Sequence, residues 1–424
     1  MRQDHQSRQG ASIAPRQQEV SARPTEVRTC APEVSLCGTR ALWNTHSASH
    51  MQSMRQPAAE VFRKHRCDDS PKGYVQPMRL YLGHMSALRA WRQVRQGRLP
   101  VPRRSACRSV VDPATSAVEL AHCGLGPLAD TTPPDEATCI LRGCARDPSG
   151  GPQAPLEQLD VLVAKRSQRH RIKGVRHHLL TGEFPEGSFF LLANGVYLPS
   201  PELLLTLLSS NLSSWELIAL AYELCGSYCL DPSLEAGFAS HLEPLTSVDA
   251  IKRFLMEAKG LRGSARVGEV LHHLRDGSAS PRESDLAMLL GLSPKEGGYW
   301  MGDFTLNADL LFQGEDAKLT GGTNRSPDIL FCGTSVICEY DSRTFHANEE
   351  ELERDKDRAD GLRAIGYEVV TASSLHFRSQ ADMMRLMKRL SRCLRTSVES
   401  EDPEVRAARA KLLGWVRSPN HQPM

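Results

Sequence analysis

The chain has 424 residues, 40% of them hydrophobic, and a net charge of +2; this is enough for one sizeable core and two or three domains, and it excludes a wholly disordered polymer. No apolar run approaches the roughly 18 residues of a membrane span, and the N-terminus lacks the continuous apolar segment of a signal peptide, so a cytoplasmic protein without membrane contact is expected. The small net charge hides an asymmetry: residues 1–110 carry 19 Lys and Arg against 7 Asp and Glu, a balance of +12, which leaves −10 for the remainder.

Residues 1–77 show neither helical nor strand periodicity and are rich in Arg, Gln, Ser and Pro, the composition of a disordered basic leader. Met78 is a second candidate translation start. Over 78–155, "MSALRAWRQV" spaces Met85, Leu88, Trp91 and Val94 as a helix near 84–96, and the rest is Pro- and Gly-rich linker. The 12 cysteines contain no C-x-x-C pair, so neither a zinc site nor a disulfide framework is assigned. Cys225 and Cys229 fit small core residues on one helix face.

A middle α/β region, 156–274, begins with the strand candidates "LDVLVA" and "VRHHLL". "SFFLLANGVYLP" then reads as strand, turn and strand. Ser200 caps a helix with Pro201 at its first position, over about 201–209, and another helix follows over about 213–226. "SVDAIKRFLMEAK" and "SARVGEVLHHLRDG" are further helices, the second closed by Gly277.

The unit at 275–395 opens with a helix capped by Ser280, with Pro281 inside it and Glu283 in the first turn. Strand character follows in "DFTLNADLLF", "PDILFC" and "SVICEYD", then a helix (about 348–365), the strand "YEVVTAS" and a helix (about 380–395), an α/β sandwich of ordinary domain size. A C-terminal helix and tail occupy 396–424. In "SVICEYD" Ile337, Glu339 and Asp341 share one face. Two carboxylates on one face can hold a hard divalent cation, with Asp328 on a neighbouring strand as third oxygen ligand. The competing interpretation is a solvated strand end.

On a helical wheel Leu352, Ala359, Leu362 and Ile365 form an apolar arc that includes Asp355, with Arg358 at its edge. A buried carboxylate needs a partner, and Arg358, His346 or a metal-bound water can serve. Asn348 caps this helix and Gly366 stops it. His346, in the loop between strand and helix, has the pKa range of a general base.

The series "PDILF", "CEYDSRTFH" and "ERDKDRADGLRAIGYEVV", preceded by "ASPRESDLAML", resembles the family called domain of unknown function 559. That family is similar to the very-short-patch repair endonucleases and implies a restriction-endonuclease-like fold. The resemblance covers about 275–395 and rests on Asp328, Glu339, Asp341, His346, Asp355, Arg358, Gly366 and Tyr367, with Glu283 at the upstream helical acid. It implies Mg²⁺ at Asp328, Glu339 and Asp341, water activation with His346 assisting, and Glu283, Asp355 and Arg358 in support, with DNA as the partner. Asp341 stands where the larger superfamily usually has a Lys, which leaves enzymatic activity open. The middle region, through "NGVYLPSPELLLTLL", resembles proteins related to AbiEi-type antitoxins of bacterial defence systems. This implies as an alternative a non-catalytic DNA-binding regulator with a partner protein encoded beside it, although no winged-helix module is recognisable at the N-terminus. A third possibility treats the acids as structural, in an interaction scaffold that does not bind nucleic acid.

Overall fold

The computed structural model describes residues 79–116, 158–193, 195–258, 260–341, 349–400, 402–418 and 421, and the side chains of the helix at 349–364 from 357 onward. The expected leader, most of the expected linker, Asn348 and His346 lie outside the described residues. In chain order the elements are β1 (Leu80–Tyr81), α1 (His84–Arg95), β2 (Arg103–Ser105), β3 (Leu159–Val163), β4 (Val175–Leu179), β5 (Phe189–Ala193), β6 (Val196–Pro199), α2 (Pro201–Leu208), α3 (Ser214–Cys225), β7 (Cys229–Leu230), β8 (Phe238–Ala239), α4 (Val248–Glu257) and α5 (Ser264–Val270). After them come α6 (Pro281–Gly291), β9 (Phe304–Leu306), β10 (Leu310–Leu311), α7 (Gly314–Leu319), β11 (Asn324–Arg325), β12 (Ile329–Phe331), β13 (Val336–Asp341), α8 (Glu349–Ala364), β14 (Glu368–Ser373), α9 (Gln380–Leu394) and α10 (Pro403–Arg417). The architecture is mixed α/β with several small sheets.

The first sheet has the order β1-β6-β5-β2. Its centre is the β5/β6 hairpin, whose two open edges are covered by β1, parallel to β6, and β2, antiparallel to β5; covering them satisfies the edge hydrogen bonds. The sequence sets 78–155 apart from 156–274, but here the strands of the first segment complete the sheet of the second. α1 locks the two together. The Trp91 indole N–H donates to Pro199 O at 2.9 Å, and the buried Arg92 guanidinium pairs with the buried Glu223 carboxylate at 2.7 Å.

The helix expected to run to Gly277 ends earlier, at Val270, and continues as a single 3-10 turn, Leu271–His273. There the Tyr222 hydroxyl donates to His273 O at 2.9 Å, a tertiary bond that competes with further helix. Cys225 and Cys229 are buried free thiols. One core cluster extends from Leu80 to Val416, so no break in packing accompanies the boundary near 275.

The second sheet has the order β14-β13-β12-β9. β9, β12 and β13 are successively antiparallel, while β14 lies parallel to β13, an arrangement that requires a crossover, here α8. Leu362 of α8 packs with Ile337 and Val369 on one face. Ile329, Phe331, Val336 and Cys338 on the other face belong to the cluster that contains α6 and α9. α8 ends at a glycine stop: Gly366 has φ +97°, its N–H donates to Arg363 O and the Tyr367 N–H to Leu362 O, both at 3.0 Å. Ser280 caps α6 through the Glu283 N–H, with Pro281 in the first turn.

Candidate functional site

The acids are placed by strand register. Ile329 pairs with Cys338 and Leu330 with Ile337, so the next step along the two antiparallel strands sets Asp328 opposite Glu339. Because side chains alternate, both carboxylates fall on the face that carries Ile337 and Leu330, the face covered by α8. Opposed like charges on adjacent strands repel, and their surroundings must answer that.

Asp328 is half-buried. Its Oδ2 accepts the Tyr340 backbone N–H at 2.6 Å, and its own N–H donates to Glu339 Oε2 at 3.4 Å. Burial, together with the negative charges of Glu339 and Glu283, pushes the Asp328 carboxyl up to about 8, against the opposing pull of the Tyr340 N–H and the Arg358 charge. Desolvation and like charge both favour the neutral acid. Glu339 and Asp341 are half-buried as well, and Asp341 stands at the end of β13 beside Ser373.

Glu283 belongs to the same electrostatic neighbourhood but is committed to hydrogen bonds. Its Oε2 accepts from Ala279 N at 2.8 Å and from Asn307 Nδ2 at 2.7 Å, and its Oε1 accepts from Ser280 Oγ at 3.0 Å. Asn307 is the linking residue: its backbone N–H donates to Asp328 O at 3.1 Å and its amide also donates to Gly277 O at 2.9 Å. Sequence reasoning passed over it, placing it inside one long strand. Its φ of +48° splits that strand into β9 and β10, and asparagine tolerates this left-handed conformation better than most residues. Gly277, φ +91°, in the segment ahead of α6, passes close to the end of β9; a Cβ there would lie 2.8 Å from Leu306 O.

Arg358 is exposed, outside the apolar arc that Leu362, Ala359 and Ile365 define, and near enough for its charge to act on Asp328. Asp355 lies in α8, but its side chain, like His346, is outside the described residues. The fold therefore brings Asp328, Glu339, Glu283 and Arg358 together. Two half-buried opposed carboxylates supply only hard oxygen ligands, the donor chemistry of Mg²⁺ or Mn²⁺. Among the described residues no three His, Cys, Asp or Glu side chains already converge as a metal cage. No family model, no curated protein and no solved structure matches this chain.

Proposed function

We propose that the chain is a metal-dependent DNA endonuclease-like protein that hydrolyses phosphodiesters with Asp328 and Glu339 as its principal metal ligands and Asp341 beside them. One observation carries this most: two carboxylates face each other across β12 and β13, and one of them holds its proton up to about 8. Such a pair ionises fully near neutral pH only beside a counter-charge. Mg²⁺ takes one or two protein carboxylates and completes its shell with water and phosphate oxygens, so the residues present fit it. When bound, the cation would neutralise charge on the scissile phosphate and acidify a water. The chain's own residues orient the site. The Tyr340 N–H fixes one Asp328 oxygen, Asn307 ties Asp328 to Glu283, and the Arg358 charge opposes that of the acids. The sequence of elements α6-β9-β12-β13-α8-β14-α9, with three antiparallel strands and a parallel fourth, supports a restriction-endonuclease-like reading.

The alternative is a non-catalytic DNA-binding regulator, antitoxin-like and paired with a neighbouring gene's product. It is favoured by Asp341, which stands where the nuclease superfamily usually places a Lys, and by the three hydrogen-bond donors already on Glu283. Incubating supercoiled plasmid with the protein and Mg²⁺ or Mn²⁺ separates the two. Nicking or linearisation that disappears with Glu339→Ala supports the nuclease. Intact plasmid under every metal condition, with DNA binding retained in Glu339→Ala, supports the regulator.

A further inference from the structure

Away from the acids, residues between His84 and Arg262 line a cleft of about 1380 Å³. One wall is the 3-10 turn Arg166–Gln168 with the strand β4; the other is the α2–α3 junction and the loop ahead of α5. Arg166, Arg169, Arg171, Lys173, Arg176 and Arg262 line it, all with exposed side chains, and among the described residues no Asp or Glu does. Exposed cations that outnumber the acids near them repel one another, an electrostatic cost that an anion would relieve.

Two buried histidines line the same cleft. His84, 9% exposed, begins α1 with φ +46° and stacks on His178 at 3.7 Å between ring centroids. His178 is held by Asp160, Nε2 to Oδ1 at 2.7 Å. His177, 5% exposed, is fixed through Nδ1 to His170 O at 3.0 Å. Yet His84 Nδ1 and His177 Nε2 are both buried without a hydrogen-bond partner. Unsatisfied buried polar atoms are rare in folded proteins and call for a specific explanation. His177 Nδ1 donates to a carbonyl, which leaves Nε2 of the neutral ring an acceptor, and neither orphan nitrogen is open to solvent, so the groups that meet an anion are the guanidiniums above them, which are suited to two-point bonding of phosphate.

We infer that this cleft binds the phosphate backbone of duplex DNA. Five arginines distributed over a cleft of this size suit a run of phosphates better than one. Among the described residues no Phe, Tyr or Trp lines it, so they supply no stacking platform of the kind on which unpaired bases are usually held, and the ring faces of His84 and His178 are engaged with each other. This deepens the DNA reading above but uses different residues, and it holds whether or not the acids cleave.

The test uses the full chain in EDTA, so that binding is read without hydrolysis. Fluorescence anisotropy follows a labelled duplex of about 20 base pairs, and a single strand of the same length, across roughly 50 to 200 mM salt. Arg169→Ala/Arg171→Ala is compared with a control pair on the exposed side of α10, Arg406→Ala/Arg417→Ala, and thermal melts verify folding. The cleft variant is expected to weaken duplex binding about tenfold or more and to make the salt slope shallower by about 2, since each lost phosphate contact contributes about 0.9. The control pair stays within about twofold of the wild type. Wild-type affinity in the cleft variant, an equal loss in the control, or tighter binding of the single strand would overturn the inference. Binding in EDTA is read without hydrolysis, so failure of the cleavage reading leaves this result standing.

Discussion

Replacing Asp328 with Asn tests the electrostatics of the acid pair without emptying the site. The carboxyl is raised from 3.8 to about 8. A group whose folded value lies above its unfolded value stabilises the fold fully below the unfolded value, and that contribution is lost as pH rises through the folded one. Metal-free protein therefore loses stability between about pH 4 and pH 8 on account of this residue. At pH 7 the shift corresponds to at most about 4 kcal/mol; Asp328 is only half-buried, and relaxation with solvent access reduces this to about 1–3 kcal/mol. Asn keeps an oxygen for the Tyr340 N–H and carries no charge opposite Glu339. Melting Asp328→Asn and the wild type in EDTA from pH 5 to 8.5 should show a difference that grows with pH in favour of the variant, then levels off above about pH 8, with a Tm gain of a few degrees. Added Mg²⁺ should raise the wild type and leave the variant unchanged. A constant offset between the two curves, or a variant less stable at pH 8, would refute the assignment.

Gly361, inside α8, should resist the usual benefit of Gly→Ala in a helix, about 1 kcal/mol, because a Cβ would lie 2.1 Å from Leu319 O; Gly361→Ala should instead cost about 2–4 kcal/mol in a denaturant titration. Asn307→Gly keeps the left-handed backbone and loses the amide bonds to Glu283 and Gly277, whereas Asn307→Ala also adds backbone strain. Equilibrium unfolding should rank them wild type, Gly, then Ala, with Ala about 2–3 kcal/mol down. Glu223→Gln leaves the buried Arg92 guanidinium without its counter-charge and should cost about 3–5 kcal/mol, read by thermal melt.

Local chemistry made much of this fold legible. Ser200 with Pro201, Ser280 with Pro281, and Gly366 mark their helix ends by capping and by left-handed backbone, effects that act within a few residues. Strand alternation placed Glu339 on the face of Ile337, because the two-residue period needs no knowledge of the partner strand. What escaped was non-local. Pairing of β1 with β6 joins residues more than a hundred positions apart, and nothing in "RLYL" announces it. Asn307 looked like one polar residue inside a strand, although its tolerance of positive φ was the available signal. The run "KRSQRHRIKGVRHH" reads as a strand candidate and its flank; its density of Lys and Arg is a charge pattern in plain view, but the buried, unpartnered ring nitrogens beneath it depend on the fold that brings α1 to β4.

The most direct test of the acid site is a crystal soaked in Mn²⁺ and examined by anomalous scattering. A peak bound by carboxylate oxygens of both Asp328 and Glu339 at about 2.0–2.3 Å is expected, with Asp341 adjoining. Density without such a peak at saturating Mn²⁺, or a peak ligated by residues elsewhere while the two carboxylates stay apart, would contradict it.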